Sequence, residues 1–159
     1  MEKDFKIAGD SNVFDVIIIG SGPAGYTAGI YTARAGRKTL LLSGLLHGGQ
    51  LMNTTVVENF PGFENGIMGP ELMDKIRMQT KKMGVNIVDE KVVRVNFKKK
   101  PFKVFTKSKE FLGRAVIIAT GADYRKLEVK GEKEFSGRGV SYCAVCDGPF
   151  FKNEEIVVV

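Results

Sequence analysis

The sequence predicts an α/β fold in which helices alternate with the strands of a mostly parallel sheet. The first observation behind this prediction is a set of short apolar runs separated by helical patterns, at residues 14–19, 38–42, 85–88 and 115–119. The second is a glycine-rich turn that directly follows the first run. The third is the stretch 91–109, where apolar and basic residues alternate and predict a half-solvated β-hairpin.

The first elements of the chain form a predicted βαβ unit. Phe14–Ile19 has the continuous apolar character of a buried strand, Gly36 marks the end of the helix that follows, and Lys38–Leu42 begins the next strand. We expect small residues of this helix to pack closely on the sheet. The residues that would provide this face are Ala24, Ala28, Tyr31, Ala33 and Ala35.

A second helix is predicted to begin at Pro70, because proline is favoured in the first turn, and to end before Gly84. The residues predicted to form its inner face are Leu72, Ile76 and Met83. Residues 155–159 have the composition of a strand that is only beginning. An apolar strand at a chain end leaves a sheet edge exposed, so we expect the sequence to be truncated.

Composition indicates a globular chain with one substantial core, since 43% of the 159 residues are hydrophobic. The formal charge is +6, and much of it lies in the stretch 91–109. The regular apolar residues there favour a half-solvated hairpin over a nucleic-acid surface, although the basic face would suit an acidic protein partner. No apolar run is long enough for a membrane span and no signal-peptide core is present, so neither membrane nor nucleic acid is an expected partner.

The strongest local motif is Gly20-x-Gly22-x-x-Gly25, which follows a predicted strand and opens a predicted helix. In that context a dinucleotide fingerprint binds a pyrophosphate, because glycine allows a tight turn, close approach of backbone N–H groups and close packing of helix on strand. An acidic residue that holds a ribose normally follows about 20 positions later. Ser43 occupies that place here, so we expect the ribose contact from a hydroxyl, from backbone, or from the loop 43–50.

The only two cysteines, Cys143 and Cys146, are three positions apart. This spacing occurs in metal sites and in catalytic dithiols, and it favours a reducing compartment, which we expect to be the cytoplasm. Structural zinc normally requires four ligands, and His47 is the single histidine, so no metal site is predicted. A pair that cycles between dithiol and disulfide is favoured, while an inert buried pair stays an alternative.

Five ordered motifs carry a family resemblance: G-S-G-P-A-G at 20–25, G-G-Q-L at 48–51, V-E-N-F-P-G at 57–62, A-T-G-A at 119–122 and C-A-V-C-D at 143–147. Together they resemble the low-molecular-weight thioredoxin reductases, which are class II pyridine nucleotide-disulfide oxidoreductases. The resemblance covers residues 14–159. It departs from the family at Val145, where threonine is common, and this should change local polarity without removing the redox pair.

The resemblance implies FAD as cofactor. The residues that it assigns to FAD are Gly20, Ser21, Gly22, Pro23, Ala24, Gly25, Ser43, Gly44, Leu45, Leu46, His47, Gly48, Gly49, Gln50, Asn59, Val92, Thr120, Gly121 and Ala122. It also implies that Cys146 is the flavin-side sulfur, Cys143 the thiol that exchanges with the partner, and Asp147 the acid/base.

The implied architecture is a Rossmann-like FAD-binding domain with a parallel sheet, helices and a β-meander. We predict a polar leader at 1–13, an FAD-binding domain at 14–125, and at 126–159 the start of an NADPH and redox-disulfide domain. The rest of that domain and the C-terminal FAD segment are expected to be missing. We therefore expect little turnover from this chain and weaker FAD binding than in a complete enzyme.

The implied function is transfer of electrons from NADPH through FAD to the Cys143–Cys146 disulfide and on to thioredoxin, in an enzyme that is a homodimer when complete. NADPH would bind outside this chain. One alternative is a related flavoprotein disulfide reductase with another donor or acceptor, such as a hydroperoxide-reductase flavoprotein or an enzyme fed by ferredoxin. The other is a non-catalytic FAD-binding module.

Overall fold

A computed structural model describes residues 13–159 of the chain. These divide into two compact units, the first ending at Gly121 and the second covering Ala122–Val159. The domain boundary after residue 125 stays a prediction. The polar leader predicted at 1–13 lies, up to residue 12, outside the described residues.

The first unit is built on one large sheet. Its strands are β1 at Val13–Ile19, β2 at Thr39–Leu42, β5 at Asn86–Val88, β6 at Arg94–Asn96, β7 at Phe102–Phe105 and β8 at Glu110–Ile118, while β3 at Val56–Val57 and β4 at Ile67–Met68 form a separate ribbon. The order in the large sheet is β5-β2-β1-β8-β7-β6. The first four strands of this order are parallel, and β8, β7 and β6 form an antiparallel meander. The predicted α/β fold with a parallel sheet and a β-meander is therefore confirmed.

Two helices, α1 at Pro23–Arg34 and α2 at Gly69–Lys82, lie on the same face of this sheet. Residues of both helices belong to one core cluster with Ile18 of β1 and Leu41 of β2. The opposite cluster contains Ile17 together with residues of the meander. Because β2 and the last three residues of β1 are buried on both faces, they have the continuous apolar sequences from which they were predicted.

The buried face of α1 consists of Gly25, Tyr26 and Gly29. A Cβ at Gly29 would lie 3.2 Å from the Thr80 side chain of α2, so the missing side chain lets the two helices approach closely. Tyr26 is fully buried, so the face of the helix that carries its ring points inward. The predicted packing face is consequently wrong at three positions, which are exposed: Ala24, Tyr31 and Ala35.

Helix α2 begins one residue before the predicted proline and ends close to the predicted Gly84. Leu72 is buried as predicted, and Ile76 and Met83 are half-buried. Met73, which the sequence analysis did not select, is fully buried between the helices and the sheet. The apolar face of α2 is therefore wider than the predicted one.

The basic stretch 91–109 forms the predicted hairpin of β6 and β7. The Arg94 guanidinium lies 4.0 Å from the centre of the Phe105 ring, and Lys103 pairs with Glu110 at 3.0 Å. Val104 is fully buried between these exposed cations. The hairpin is thus half-solvated because β7 is buried at Val104 and Phe105, whereas all three residues of β6 are exposed.

In the second unit, the buried Glu132 carboxylate organises the loop around it. It accepts hydrogen bonds from the backbone N–H groups of Leu127 at 3.0 Å and Glu128 at 2.6 Å, and from the Tyr142 hydroxyl at 2.8 Å. Burial raises the pKa of Glu132, but these hydrogen bonds outweigh burial and hold it below its usual value. The ring of Tyr142 also stacks on Tyr124, with centroids 3.8 Å apart.

The second unit ends in two short helices, α3 at Ala144–Asp147 and a 3-10 helix at Gly148–Phe151. The strand predicted at residues 155–159 is wrong: these residues are exposed and have no regular secondary structure. A strand is held by hydrogen bonds to a neighbouring strand, and within residues 13–159 no strand pairs with this segment.

Candidate functional site

The turn between β1 and α1 depends on close backbone contacts. Gly20 has a φ of 111°, which favours glycine, and a Cβ there would collide with the carbonyl group of Ala119. A Cβ at Gly25 would collide with the carbonyl oxygen of Gly20. The Gly20 N–H donates to Leu42 O at 2.9 Å, and the Ala119 N–H donates to Ile19 O at 2.8 Å. Two of the three predicted fingerprint glycines are thus required by the geometry of the turn itself.

The N-terminus of α1 is open to a ligand. Gly22 is its N-cap without a side-chain cap, Pro23 lies in the first turn, and no acidic residue lies there. No atom lies within 4 Å of the position that a Cβ of Gly22 would take. Uncapped N–H groups and the helix dipole attract an anion, so these residues fit the pyrophosphate of a dinucleotide.

Ser21 joins this turn to the loop at residues 43–50. Its hydroxyl donates to the carbonyl oxygen of Ser43 at 2.9 Å and accepts from the N–H of Gly48 at 3.2 Å. All three residues are buried. Two segments that the sequence analysis assigned to the same cofactor are therefore connected by hydrogen bonds.

A carboxylate that the sequence analysis missed, Asp89, lies beside Ser43. The register of β2 with β5 pairs Leu42 with Val88, so the residues that follow each strand are neighbours. The Ser43 hydroxyl donates to Asp89 Oδ1 at 2.6 Å, and the Ser43 N–H donates to Val88 O at 3.0 Å. The available signal was the position of Asp89 directly after the predicted strand at 85–88.

Arg77 of α2 holds the Asp89 carboxylate from the other side. Its two terminal nitrogens donate to the two carboxylate oxygens at 3.0 and 2.7 Å, and one of them also lies 3.4 Å from the Tyr26 hydroxyl. The Arg77 side chain is 13% exposed, whereas that of Asp89 is 54% exposed. The carboxylate is therefore fixed in position and still accessible from solvent.

The Arg77 guanidinium, with help from the Ser43 hydroxyl, lowers the pKa of Asp89 to about 2. The stability that this ionised carboxylate contributes is present above its unfolded pKa near 4 and is lost as the pH falls through about 2. Between pH 6 and pH 3 the unmodified chain should lose more free energy of unfolding than Asp89→Asn, by about 1 kcal/mol at most because the group is exposed. Urea unfolding at both pH values measures this difference, and equal losses in the two proteins would contradict it.

His47, in the loop at residues 43–50, carries a buried polar atom without a partner among the described residues. Its Nε2 lies 3.8 Å from Asp74 Oδ1, and its Nδ1 is buried without a hydrogen-bond partner within residues 13–159. Since buried polar atoms normally have partners, this nitrogen fits a polar group of a bound ligand.

The remaining residues of the predicted cofactor site lie in several loops. Leu45 and Leu46 are highly exposed, Gly44 precedes them, and Gly49 and Gln50 begin a 3-10 helix at Gly49–Asn53. Asn59 is exposed in the loop between β3 and β4, and Val92 is half-buried after β5. The hydrogen-bond network of Ser21, Ser43 and Asp89 includes neither of these two.

The predicted A-T-G-A segment follows β8. The hydrogen bond from Ala119 to β1 brings Thr120 and Gly121 to the edge of the sheet where the Gly20 turn lies. Both residues are exposed, and Gly121 has a φ of 70°. Ala122 is the first residue of the second unit.

In the second unit Cys143 and Cys146 form a disulfide. Cys143 is half-buried at the N-cap of α3, where its sulfur accepts a hydrogen bond from the Cys146 N–H at 3.2 Å, and Cys146 is exposed. A hydrogen bond of this kind stabilises negative charge, so it would favour the thiolate of Cys143 after reduction.

Asp147 is held next to Cys143 by Ser141, a residue that the sequence analysis did not select. The Ser141 hydroxyl donates to Asp147 Oδ2 at 2.5 Å and accepts from the Cys143 N–H at 3.1 Å. Asp147 is half-buried. The carboxylate, the hydroxyl and the first cysteine therefore form one connected group.

Two further features of the described residues bear on other kinds of function. Among the described residues no group of three or more His, Cys, Asp or Glu could hold a metal ion. Within the same part of the chain, none of the helices has the length and apolar character needed to cross a membrane.

Comparison with known proteins decides the family. The family described as pyridine nucleotide-disulphide oxidoreductase matches residues 14–159, a range that includes both the Gly20–Gly25 turn and the disulfide. The chain belongs to this family. The resemblance found in the sequence is thereby confirmed.

This pyridine nucleotide-disulphide oxidoreductase chain is 53% identical over 150 residues to a thioredoxin reductase of Bacillus subtilis, which is 94% of this chain and 47% of the relative. A solved thioredoxin reductase of Streptococcus pyogenes is 42% identical with a TM-score of 0.80, covering 89% of this chain and 46% of that one. A ferredoxin-flavin thioredoxin reductase of Clostridium acetobutylicum is 34% identical with a TM-score of 0.63, covering 87% and 48%. The chain spans about half the length of the relatives it matches.

Proposed function

We propose that the chain is the FAD-binding and disulfide-bearing part of an FAD-dependent thioredoxin-disulfide reductase. The observation that carries the proposal is the Cys143–Cys146 disulfide, on the same chain as a glycine turn that opens a helix N-terminus. The first feature suits dithiol exchange and the second suits a dinucleotide. The similarity to thioredoxin reductases supports the combination.

The uncapped start of α1 would hold the pyrophosphate of FAD, and Ser43 would lie on its adenosine side. The family resemblance implies that the G-G-Q segment at 48–50 lies by the flavin. Asn59, Val92 and the segment 120–122 remain proposed contacts on the basis of the family resemblance. When bound, FAD supplies the two-electron chemistry that links a nicotinamide to a disulfide. NADPH is the proposed donor in the complete enzyme, and no residue of this chain is assigned to it.

The dithiol of this chain would reduce thioredoxin in two exchange steps. The Cys143 thiolate attacks one sulfur of the thioredoxin disulfide, which forms a mixed disulfide and releases one thioredoxin thiolate. The Cys146 thiolate then attacks the Cys143 sulfur, which restores the intramolecular disulfide and releases the second thioredoxin thiolate. Two electrons pass to thioredoxin, and its two thiolates take up two protons.

Asp147 is the proposed acid/base of these steps. The Ser141 hydroxyl holds its Oδ2 beside the Cys143 backbone, and a carboxylate in that place can accept a thiol proton and return it. Because a cycling dithiol must be reducible, we place the protein in the cytoplasm. A homodimer without a nucleic-acid or membrane partner is the proposed assembly.

A second candidate function has the same electron acceptor, thioredoxin, but a different electron donor, ferredoxin in place of NADPH. The solved Clostridium acetobutylicum protein, named a ferredoxin-flavin thioredoxin reductase, has the same fold as this chain. The Cys143 and Cys146 chemistry is the same for both donors. The donor is distinguished by supplying NADPH or reduced ferredoxin to the complete enzyme and measuring thioredoxin thiols.

The proposal is tested by two measurements on this chain. After incubation with FAD and gel filtration, we expect flavin absorbance to elute with the protein. After reduction with a small dithiol and removal of that dithiol, we expect the chain to generate thiols on oxidised thioredoxin. The control is the double variant Cys143→Ser, Cys146→Ser, which should bind FAD and transfer no electrons. A chain that retains no flavin and transfers no thiols would refute the proposal.

A further inference from the structure

One place in the dinucleotide site lacks its usual residue. A carboxylate at the end of the second strand normally holds a ribose of the nucleotide, and here that place is Ser43. Ser43 is buried, with only 5% of its surface exposed. Its hydroxyl donates to Asp89 at 2.6 Å, so it points toward a carboxylate supplied by another strand.

We propose that Asp89 is the residue that binds the adenosine ribose of the dinucleotide, and that Ser43 and Arg77 position its carboxylate. The inference rests on the proposed function, because it requires that the dinucleotide be bound at the Gly20–Gly25 turn. In this assignment the ribose contact comes from the residue that follows β5, whereas in the usual fingerprint it comes from a residue at the end of β2.

The sheet places Asp89 where this contact is needed. In the order β5-β2-β1, the turn for the pyrophosphate follows β1, Ser43 follows β2, and Asp89 follows β5. The Ser21 hydroxyl ties the pyrophosphate turn to Ser43, and the Ser43 hydroxyl ties Ser43 to Asp89. A nucleotide that leaves the turn across the ends of the strands therefore meets the Asp89 carboxylate directly beyond Ser43.

The carboxylate has an acceptor position left for a ribose hydroxyl. Oδ1 accepts from Ser43 and from Arg77, while Oδ2 accepts from Arg77. An ionised carboxylate offers about four acceptor positions, so one remains on Oδ2. The side chain is 54% exposed, and this open position is consistent with a ligand approaching from solvent.

His47 supplies an independent observation in the loop that begins at Ser43. Its buried Nδ1 has no hydrogen-bond partner within residues 13–159, although the loop that carries it is hydrogen-bonded to Ser21 at Gly48. A polar ligand bound against this loop would satisfy the buried imidazole nitrogen. A ribose, whose hydroxyls both donate and accept, is such a ligand.

The test compares FAD with analogues that lack the 2′ or the 3′ hydroxyl of the adenosine ribose. For the unmodified chain we expect at least one analogue to bind roughly tenfold more weakly than FAD, the loss typical of a hydrogen bond to a charged group. Asp89→Asn should bind FAD about as weakly as that analogue, and it should bind FAD and the analogue equally. Dissociation constants from flavin fluorescence titration provide all of these values.

Matched variants distinguish a loss of ribose binding from a general loss of folding or of FAD affinity. Glu90→Gln removes the neighbouring carboxylate, which bonds Ser108 and Lys109 instead, and it should keep the full preference for FAD. Ser43→Ala leaves Asp89 in place but releases one of its anchors, so it should reduce the preference without abolishing it. If Asp89→Asn does not fold, the analogue comparison on the unmodified chain and on Ser43→Ala still decides the question.

The possible failures differ from one another. If the unmodified chain binds no FAD, the proposed function fails and this inference fails with it. If the chain binds FAD but does not distinguish the analogues, or if Asp89→Asn retains the preference, only the assignment of Asp89 is overturned.

Discussion

Replacing Cys146 with serine should trap a stable mixed disulfide between Cys143 and thioredoxin. The variant is first reduced and then mixed with oxidised thioredoxin. Cys143 can still attack, but the second thiolate that would release the product is absent, so the reaction stops after the first exchange. Non-reducing electrophoresis and mass spectrometry should show nearly all of the reacting chain at the summed mass of the two proteins.

Cys143→Ser is the matched control, since it leaves Cys146 as the single thiol. We expect little mixed disulfide from this variant, because the hydrogen bond that stabilises a thiolate is directed at the Cys143 sulfur. The exposure of Cys146 makes this a demanding test. Trapping by Cys143→Ser in place of Cys146→Ser would reverse the proposed roles of the two sulfurs.

Substituting alanine for Gly25 should abolish FAD binding and destabilise the first unit. The new Cβ would collide with the backbone carbonyl of Gly20, which the sheet holds in place and which cannot rotate away as a side chain would. Overpacking of this kind costs about 1–3 kcal/mol, and we expect the upper part of that range. Urea unfolding and retention of flavin on gel filtration measure the two effects.

The variant Gly22→Ala distinguishes an effect on FAD binding from an effect on the stability of the fold. Gly22 has a φ of −68° and open space where a Cβ would lie, so the folded chain tolerates alanine there. The added methyl group would stand where the pyrophosphate must approach, so FAD affinity should fall while stability stays the same. Gly148→Ala, at an open position with ordinary helical angles, should change neither. Normal FAD binding by Gly25→Ala would contradict the role given to the turn.

Local patterns were sufficient to predict the parts of the fold that depend on neighbours in sequence. The run at Phe14–Ile19 and the glycines at 20 and 25 predicted β1, the turn and α1, because apolar continuity and backbone clashes act within a few residues. The strand predicted at 155–159 failed for the opposite reason. Its apolar composition was correct for a strand, but a strand exists only with a partner to bond.

The site residues that belong to a local sequence motif could be predicted. Those brought together only by the register of distant strands could not. Asp89 lies 46 positions from Ser43, and only the alignment of β5 on β2 brings the two together. Ser141 was missed because its hydroxyl acts through hydrogen bonds to Asp147 and Cys143 that no spacing rule describes. Tyr26 was missed because a tyrosine between small residues gives no sign of being fully buried.

The turn after β1 is preorganised. The contacts that hold Gly20 and Ser21 come from Leu42, Ser43 and Ala119, all of them parts of the protein, so the turn does not require a nucleotide to shape it. Binding therefore loses little conformational entropy at this point, and more of the interaction energy is expressed as affinity. Variants that loosen these internal contacts should slow the capture of a ligand, whereas variants of groups that only touch the ligand should mainly hasten its release.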